Sequence, residues 1–436
     1  MDRSQQSASP APRRIAYVMS RFPKLTETFI LYEILELERL GVAVEIFPLI
    51  REREPVMHAE AQALVERAHF SRPLAWKVLL AQGYWLRHRP GAYIGAWWRA
   101  VAGNLGSPKF LVRALAVVPQ AAWFARQMAE LGVEHVHAHW ATHPALAAYV
   151  VQRLAGLPYS FTAHAHDIYV ERPMLDEKLR AARFVATISA YNRRLLVELY
   201  GELAAKVRVV RCGVDATIFQ PPSERPSRAT PVLLCVGSLQ PYKGHTYLIA
   251  ACARLKAAGV AFQCLLVGDG ELRGSLEAQI AQLGLGAEIR LLGQQTRAQV
   301  SALMSAADVM VLPSVTTADG KREGVPVALM EAMATGLPVV ASASSGIPEL
   351  VLDGRTGLLA PERDAAALAE ALGRLCADAS LRHRLGAAGR EHVLREFSLA
   401  TNVARLKALL LDEPGAAQWQ IAPAAEPAPL DLSPTL

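Results

Sequence analysis

Residues 14–49 open with Arg14-Ile-Ala-Tyr-Val18 and pass through Ser20-Arg-Phe-Pro-Lys-Leu-Thr26. A helically spaced apolar pattern follows to Leu40 and stops at Gly41, and Val42 begins an apolar run to Leu49. A short buried-strand run, a polar loop with Pro23, an amphipathic helix and a second strand run give the order β-loop-α-β. That order belongs to a parallel, doubly wound sheet. Strand-like runs recur at 133–138, 159–163, 184–188 and 207–210, with helical patterns between them. Residues 216–231 are rich in Pro, Ser and Arg without an apolar period, and they predict a linker. A second β/α series follows, with strands at 232–236, 262–267, 288–292, 309–312 and 338–341.

The predicted fold class is therefore α/β, with two doubly wound, Rossmann-like domains over 13–215 and 232–397. The carboxyl ends of their strands are expected to face each other across a cleft, where ligands of such sheets bind. Helical patterns at 364–377 and 380–395 close the second series, and a further helix is predicted over 398–411. Residues 412–436 repeat Ala and Pro without a period and predict a disordered tail.

Length and composition narrow the classes further. The chain has 436 residues, of which 52% are hydrophobic and 20% charged, enough to bury two or three cores and too apolar for disorder. No uninterrupted apolar run reaches the roughly 18 residues of a membrane span; the longest candidate, 110–129, is interrupted by Arg113, Pro119 and Arg126. Residues 1–12 lack the apolar core of a signal peptide. The 5 cysteines form no C-x-x-C and predict reduced thiols in a cytoplasmic protein. The net charge of +6 is unevenly spread: 27 basic and 19 acidic residues lie in 1–215, against 19 and 21 in 216–436. Between Glu66 and Glu130 there is no acidic residue, while 9 basic residues and 5 of the 7 tryptophans fall there. Basic helices with interfacial Trp suit an anionic membrane surface; buried Trp with a solvated charged face is the other reading. No nucleic-acid-binding motif accompanies the charge.

The sharpest chemical signal is Glu323-Gly-Val-Pro-Val-Ala-Leu-Met-Glu331. Pro326 suits the first turn of a helix, whose free N–H groups at Gly324 and Val325 would meet an anion. Glu331, eight residues after Glu323, lies near the same helix face, where a carboxylate can accept bonds from vicinal hydroxyls. An E-x7-E pair taken alone is more often two ordinary surface charges. The surrounding motifs change that balance: Val-Gly-Ser-Leu-Gln-Pro-Tyr-Lys-Gly at 236–244, Val-Gly-Asp-Gly-Glu-Leu at 267–272 and Ala-Asp-Val-Met-Val-Leu-Pro-Ser at 307–314. Gly-Leu-Pro-Val-Val-Ala-Ser at 336–342 and Gly-Ile-Pro-Glu-Leu-Val at 346–351 follow in order.

In this order and spacing the chain resembles family 4 of the GT-B glycosyltransferases, retaining enzymes that use nucleotide-sugar donors. It is nearest in pattern to members that build exopolysaccharide, lipopolysaccharide or colanic acid. The resemblance implies that Glu331 binds the ribose, Glu323 the hydroxyls of the donor sugar, and Lys243 the diphosphate, helped by the N–H groups of Gly324 and Val325. Gly268 and Gly270 would let backbone approach the nucleotide, and Gln294 would lie near the base. The family usually carries Arg after the first glycine of the 236–244 loop; this chain has Ser238 there, a hydroxyl without charge. Lys321 or Arg322 could supply the missing cation.

Phe161-Thr-Ala-His-Ala-His-Asp167 matches the family's T-x-H-x-x-D segment. By that resemblance His164 supports an oxocarbenium-like transition state and Asp167 orients its imidazole. His139 and Trp140 are further acceptor-side candidates. Thr26 and Glu27 lie where an acceptor hydroxyl would arrive, or else form a helix-capping turn. His135, His137 and His139 alternate on one strand face and could converge on a metal, but no established zinc spacing or D-x-D is present. The expectation is a metal-independent reaction with no cofactor.

The implied partners are a nucleotide-sugar donor and a saccharide or lipid-linked saccharide acceptor, with peripheral contact between residues 67–129 and an anionic membrane. The rival readings are a nucleotide-sugar epimerase, an inactive sugar-nucleotide-binding protein and a histidine-bound metal hydrolase.

Overall fold

A computed structural model describes residues 12–24, 28–52, 59–225 and 228–416. Twelve strands occur among the described residues: β1 Arg14–Phe22, β2 Ala43–Arg51, β3 His135–His139, β4 Tyr159–Ala163, β5 Val185–Thr187, β6 Val207–Val209, β7 Val232–Val236, β8 Gln263–Val267, β9 Ile289–Gly293, β10 Val309–Leu312, β11 Val339–Ser342 and β12 Leu358–Ala360. They form two six-stranded sheets, in the orders β2-β1-β3-β4-β5-β6 and β12-β11-β10-β7-β8-β9. The pairings β1·β2, β1·β3, β7·β8 and β7·β10 are all parallel. Strands covered on both faces must be apolar along their length. Ile15–Met19 and Val309–Leu312 accordingly lie almost wholly out of solvent.

The strand orders decide where each sheet can bind. In the second sheet the chain starts at β7, winds outward through β8 and β9, then returns to β10 on the other side of β7. Its switch point therefore lies between β7 and β10, and the loops after those strands open outside it. In the first sheet the switch falls between β1 and β3.

Close contacts group the chain into two compact units. One draws on Met1–Thr162, Pro173–Val185 and Val403–Gln418, the other on Ala163–Arg172 and Ala186–Asn402. Residues 163–172 and 186–215, although in the first half of the chain, group with the second unit. The helix Leu399–Leu410 delivers its last turns to the first unit, where the Arg183 guanidinium donates to the carbonyls of Leu409 and Leu410 at 2.8 and 2.6 Å. Those are the orphan acceptors at a helix C-terminus. In the predicted linker, Arg225 donates to the carbonyls of Met304, Ala307 and Thr335, tying that stretch to the second unit. The predicted tail from residue 417 onward lies outside the described residues.

Three helices fill the acid-free stretch: Trp76–His88, Pro90–Ala102 and Pro108–Glu130. The last runs through Pro119 without ending, and no helix among the described residues is long and apolar enough to cross a membrane. The tryptophans divide between the two expectations. Trp85 and Trp123 are core, while Trp76 and Trp98 are each 72% exposed.

Lys178 is buried in the first unit, with Nζ donating to the carbonyls of Ala141, Thr142 and Pro173 at 2.8, 2.9 and 2.7 Å. It fixes the turn that follows β3. Lys178→Met strands three buried acceptors, at a cost of about 3 kcal/mol. A thermal melt should show a Tm lower by roughly 5–10 °C; an unchanged Tm would mean that the turn holds without the ammonium.

Candidate active site

Three loops at the switch point of the second sheet carry the donor-side candidates. After β7 the chain runs Gly237-Ser-Leu-Gln240 into a 3-10 turn, Pro241–Lys243, and then the helix His245–Ala257. Gly244 stands at φ +73°, and a Cβ there would lie 1.8 Å from the Pro313 carbonyl oxygen, so only glycine fits against the loop after β10. This turn presents Lys243 to the β10 loop, where its Nζ meets Glu323 Oε2 at 2.5 Å. Burial by itself would depress the Lys243 ammonium, but Glu323, Tyr242 and Cys235 together outweigh it and the pKa is raised. His245, fully buried beside it, is pushed down to about 4 by burial and by the Lys243 charge, and is therefore neutral.

The loop after β8 zips onto the loop after β7. Gly237 N–H donates to Val267 O, Leu239 N–H to Asp269 O, and Leu272 N–H to Leu239 O. Gly268 (φ +135°) would place a Cβ 2.0 Å from Gly237 O, and Gly270 would place one 2.6 Å from Leu239 O. Both glycines are thus required where two backbones touch. The Ser238 side chain is half-buried in this zipped region. Gln294 is exposed immediately after β9.

The segment 323–325 packs on the loop 163–167. A Cβ at Gly324 would come within 2.7 Å of Ile188 Cδ1 and 3.3 Å of His164 O. His164 is buried, and its backbone is held from two sides. Asp167 accepts from the N–H groups of His164 and Ala165 at 3.1 and 2.9 Å, and Asn192 Nδ2 donates to His164 O at 2.6 Å. Asp167 thus positions His164 through the main chain. Arg322, next to Glu323, is buried with its guanidinium 4.5 Å from the Tyr169 ring centroid and 5.8 Å from that of Tyr191. The Tyr169 hydroxyl in turn donates to Asn192, closing a network around His164. Glu323 therefore approaches Lys243 on one side, and the next residue touches the His164 loop on the other.

The helix Val327–Ala334 begins one residue after Pro326, which sits at its N-cap. Glu331 is half-buried on it, and burial raises its carboxyl from 4.5 to about 7, with Arg297 pulling the other way.

In the first unit, β3 ends at His139, and Trp140 follows it at φ +80°. Thr26 and Glu27, expected across that switch point, lie outside the described residues. The three histidines of β3 are buried and hydrogen-bonded. His135 Nε2 and His137 Nδ1 both meet Ser160 Oγ, at 2.7 and 2.8 Å; His137 Nε2 meets Thr162 Oγ1 at 2.9 Å; His139 Nε2 meets Glu33 Oε1 at 2.9 Å. The Tyr17 hydroxyl also donates to Glu33 Oε1, at 2.6 Å. Glu33, His137 and His139 offer ligand atoms within 4.8 Å of one another. An ion there would have to displace the bonds of His137 to Ser160 and Thr162 and the bond of His139 to Glu33.

Comparisons with known proteins give the family and agree with the fold. The family description Glycosyltransferase Family 4 covers residues 26–218, and Glycosyl transferases group 1 covers 218–392. A Salmonella typhimurium protein named as the colanic acid biosynthesis glycosyltransferase WcaL is 32% identical over 373 residues, 82% of this chain and 89% of that one. The chain belongs to the family 4 glycosyltransferases. The amylovoran biosynthesis glycosyltransferase AmsK of Erwinia amylovora is 42% identical over 172 residues, 39% of this chain and 42% of its own. Two solved structures share the fold. A Rickettsia africae glycosyltransferase has TM-score 0.70 and 18% identity, covering 92% of this chain and 99% of its own. HepE of Anabaena, solved in complex with UDP, has TM-score 0.66 and 20% identity, covering 92% and 100%.

In this glycosyltransferase the second unit brings together Ser238, Lys243, Gly268, Gly270, Glu323, Gly324, Val325 and the His164–Asp167 loop. His139 and Trp140 belong to the first unit. Sequence reading missed Asn192, the Tyr169–Arg322–Tyr191 stack and Glu349. The Glu349 carboxylate accepts from the N–H groups of Ala190 and Tyr191 at 3.0 and 2.8 Å and pairs with Arg211. The one available signal for Glu349 was its place in Gly-Ile-Pro-Glu-Leu-Val.

The raised Glu331 pKa sets a pH-dependent stability. An unfolded glutamate ionises near 4.5 and the folded one near 7, so the unfolded chain binds fewer protons between those values and stability falls as pH rises through them. Glu331→Gln should therefore stabilise the fold above pH 7 by an amount on the order of 2 kcal/mol, seen as a higher Tm, and the gain should vanish near pH 4. Melting curves across that range check this; a gain independent of pH would contradict it.

Proposed function

We propose that this glycosyltransferase moves a sugar from a nucleoside diphosphate to a saccharide or lipid-linked saccharide acceptor in surface polysaccharide biosynthesis, with retention at the anomeric carbon. The observation that carries the reading is the convergence of Lys243, Glu323, the 324–325 backbone and the His164 loop at one end of the second sheet. The relatives named for colanic acid and amylovoran biosynthesis support the product class, and the neighbour crystallised with UDP-glucose supports the donor class.

Each residue then has a defined task. Glu331 takes the ribose hydroxyls, with Gln294 near the base. Lys243 and the amides of Gly324 and Val325 hold the diphosphate, and Glu323 exchanges its bond to Lys243 for sugar hydroxyls. His164 faces the charge that develops at the anomeric centre. In a front-face transfer the acceptor oxygen bonds to the anomeric carbon as the bond to the diphosphate breaks, and a departing phosphate oxygen takes the acceptor proton. Positioning and fixed charge supply the rate acceleration, and no enzymic nucleophile is needed. Lys243 and the backbone amides would supply the charge that stabilises the departing diphosphate, so a metal-independent reaction is proposed.

The acceptor would be met at a membrane. Ten of the fifteen exposed large apolar side chains among the described residues fall between Leu74 and Leu115, in the stretch without acid. Exposed Arg87, Arg89, Arg99, Lys109 and Arg113 accompany Trp76 and Trp98. An anionic lipid surface suits that combination.

With a panel of nucleoside diphosphate sugars and a lipid extract, the wild type should transfer with retention and without loss in EDTA. His164→Ala and Glu323→Gln should bind the nucleotide yet transfer at least about 100-fold more slowly. Inversion at the anomeric carbon, or full activity in both variants, contradicts the reading. In flotation assays the protein should rise with anionic vesicles but not with neutral ones, and Trp76→Ser with Trp98→Ser should abolish that. Equal flotation of the wild type and the double variant contradicts the membrane assignment.

A further inference from the structure

The turn after β7 holds one lysine whose charge is already matched. Lys243 meets Glu323 at 2.5 Å, so the pair presents little net charge to a ligand. A diphosphate ester carries two negative charges, and Ser238, at the start of the same turn, adds only a hydroxyl. Burying a dianion against a neutral ion pair and a hydroxyl leaves charge uncompensated. A second cation is required near this turn.

We infer that Lys321 is that cation: the second positive charge of the diphosphate subsite, standing on the loop after β10 rather than on the turn after β7. The inference rests on the nucleoside diphosphate sugar reading of the site. Lys321 Nζ donates to Gln240 Oε1 at 2.9 Å and lies 4.5 Å from the Tyr242 ring centroid, while Lys243 Nζ lies 5.2 Å from the same centroid. One aromatic ring therefore has two ammonium groups beside it, reached from two different loops. The contacts of Lys321 are an amide oxygen and a π face, both neutral and both exchangeable for a phosphate oxygen. Asp319 feels the Lys321 charge only weakly: its carboxyl is held low first by the Thr317 hydroxyl, then by the Lys321 backbone N–H, and least by the Lys321 ammonium. The neighbouring cations are engaged elsewhere. Arg322 is buried against Tyr169 and Tyr191, and Arg273 pairs with Asp269 and Glu277 at 3.6 and 3.1 Å.

The arrangement predicts a discrimination among ligands. Calorimetric titration with UDP and GDP, and with uridine and guanosine, should show Lys321→Ala weakening the preferred diphosphate about tenfold while leaving the nucleoside unchanged. The salt dependence of diphosphate binding should become shallower in the variant. Ser238→Arg, placed in the Lys321→Ala background, should recover most of the lost affinity, because a guanidinium at 238 returns the missing charge to the same turn. Diphosphate affinity within twofold of wild type in Lys321→Ala overturns the inference while leaving the donor reading intact. So does an equal loss for diphosphate and nucleoside, or a failure of Ser238→Arg to rescue. If the wild type binds neither diphosphate, the donor reading itself fails and the inference falls with it.

Discussion

The contact between Lys243 and Glu323 is the interaction on which the proposed donor site depends. It joins the turn after β7 to the loop after β10, two segments about 80 residues apart that the strand order places side by side. With side chains only 13% and 15% exposed, neither charge is well solvated, so removing one partner leaves the other uncompensated at a cost of about 3–5 kcal/mol. Such a pair adds little stability over an apolar replacement. In the proposed function its use is positional: it stores a cation and a hydrogen-bonding carboxylate at the switch point, each to exchange its partner for a ligand. The Gly244, Gly268 and Gly270 contacts make the pair reachable, because they let three backbones meet where side chains would hold them apart.

Much of this was legible in the sequence, for a physical reason. Buried parallel strands must be apolar along their length, and the alternation of such runs with helical periods marked eleven of the twelve described strands to within a few residues; β12, only Leu358–Ala360, is too short to show a period and was missed. Residues whose chemistry needs a particular type at a particular turn, such as Gly268 at φ +135° or Lys243 before Gly244, were legible as well. Residues that act by reaching across the fold were not. Glu349 caps a helix that starts about 160 residues earlier in the chain, and Lys178 is defined by carbonyls about 36 residues upstream. Beyond its place in the 346–351 motif, no local pattern announces the capping role of Glu349, and none announces Lys178. Arg322 and Lys321 are adjacent, identical in charge and indistinguishable from sequence; the structure separates them by burying one between tyrosines and leaving the other beside Gln240.

The acid-free stretch needed the structure for the same reason. Its tryptophans occur on helices of similar composition, and periodicity could not decide which of them pointed inward. Trp85 donates its indole N–H to Ala122 O and Trp123 lies under Lys77, so both serve packing, whereas Trp76 and Trp98 face solvent. Core and surface roles are mixed within one basic segment. The β3 histidines are equally ambiguous in sequence, since alternate spacing suits a metal or a hydrogen-bonded ladder. The hydroxyls of Ser160 and Thr162 on the adjacent strand complete the ladder.

The most direct test of the account is a crystal structure of the chain with the nucleoside diphosphate it binds best. The account predicts ribose hydroxyls within hydrogen-bonding distance of Glu331, and the diphosphate between Lys243 and the amides of Gly324 and Val325, with the Lys243–Glu323 contact opened. A nucleotide seated away from the β7 and β10 loops, or bound with that ion pair intact and Glu331 untouched, would contradict it.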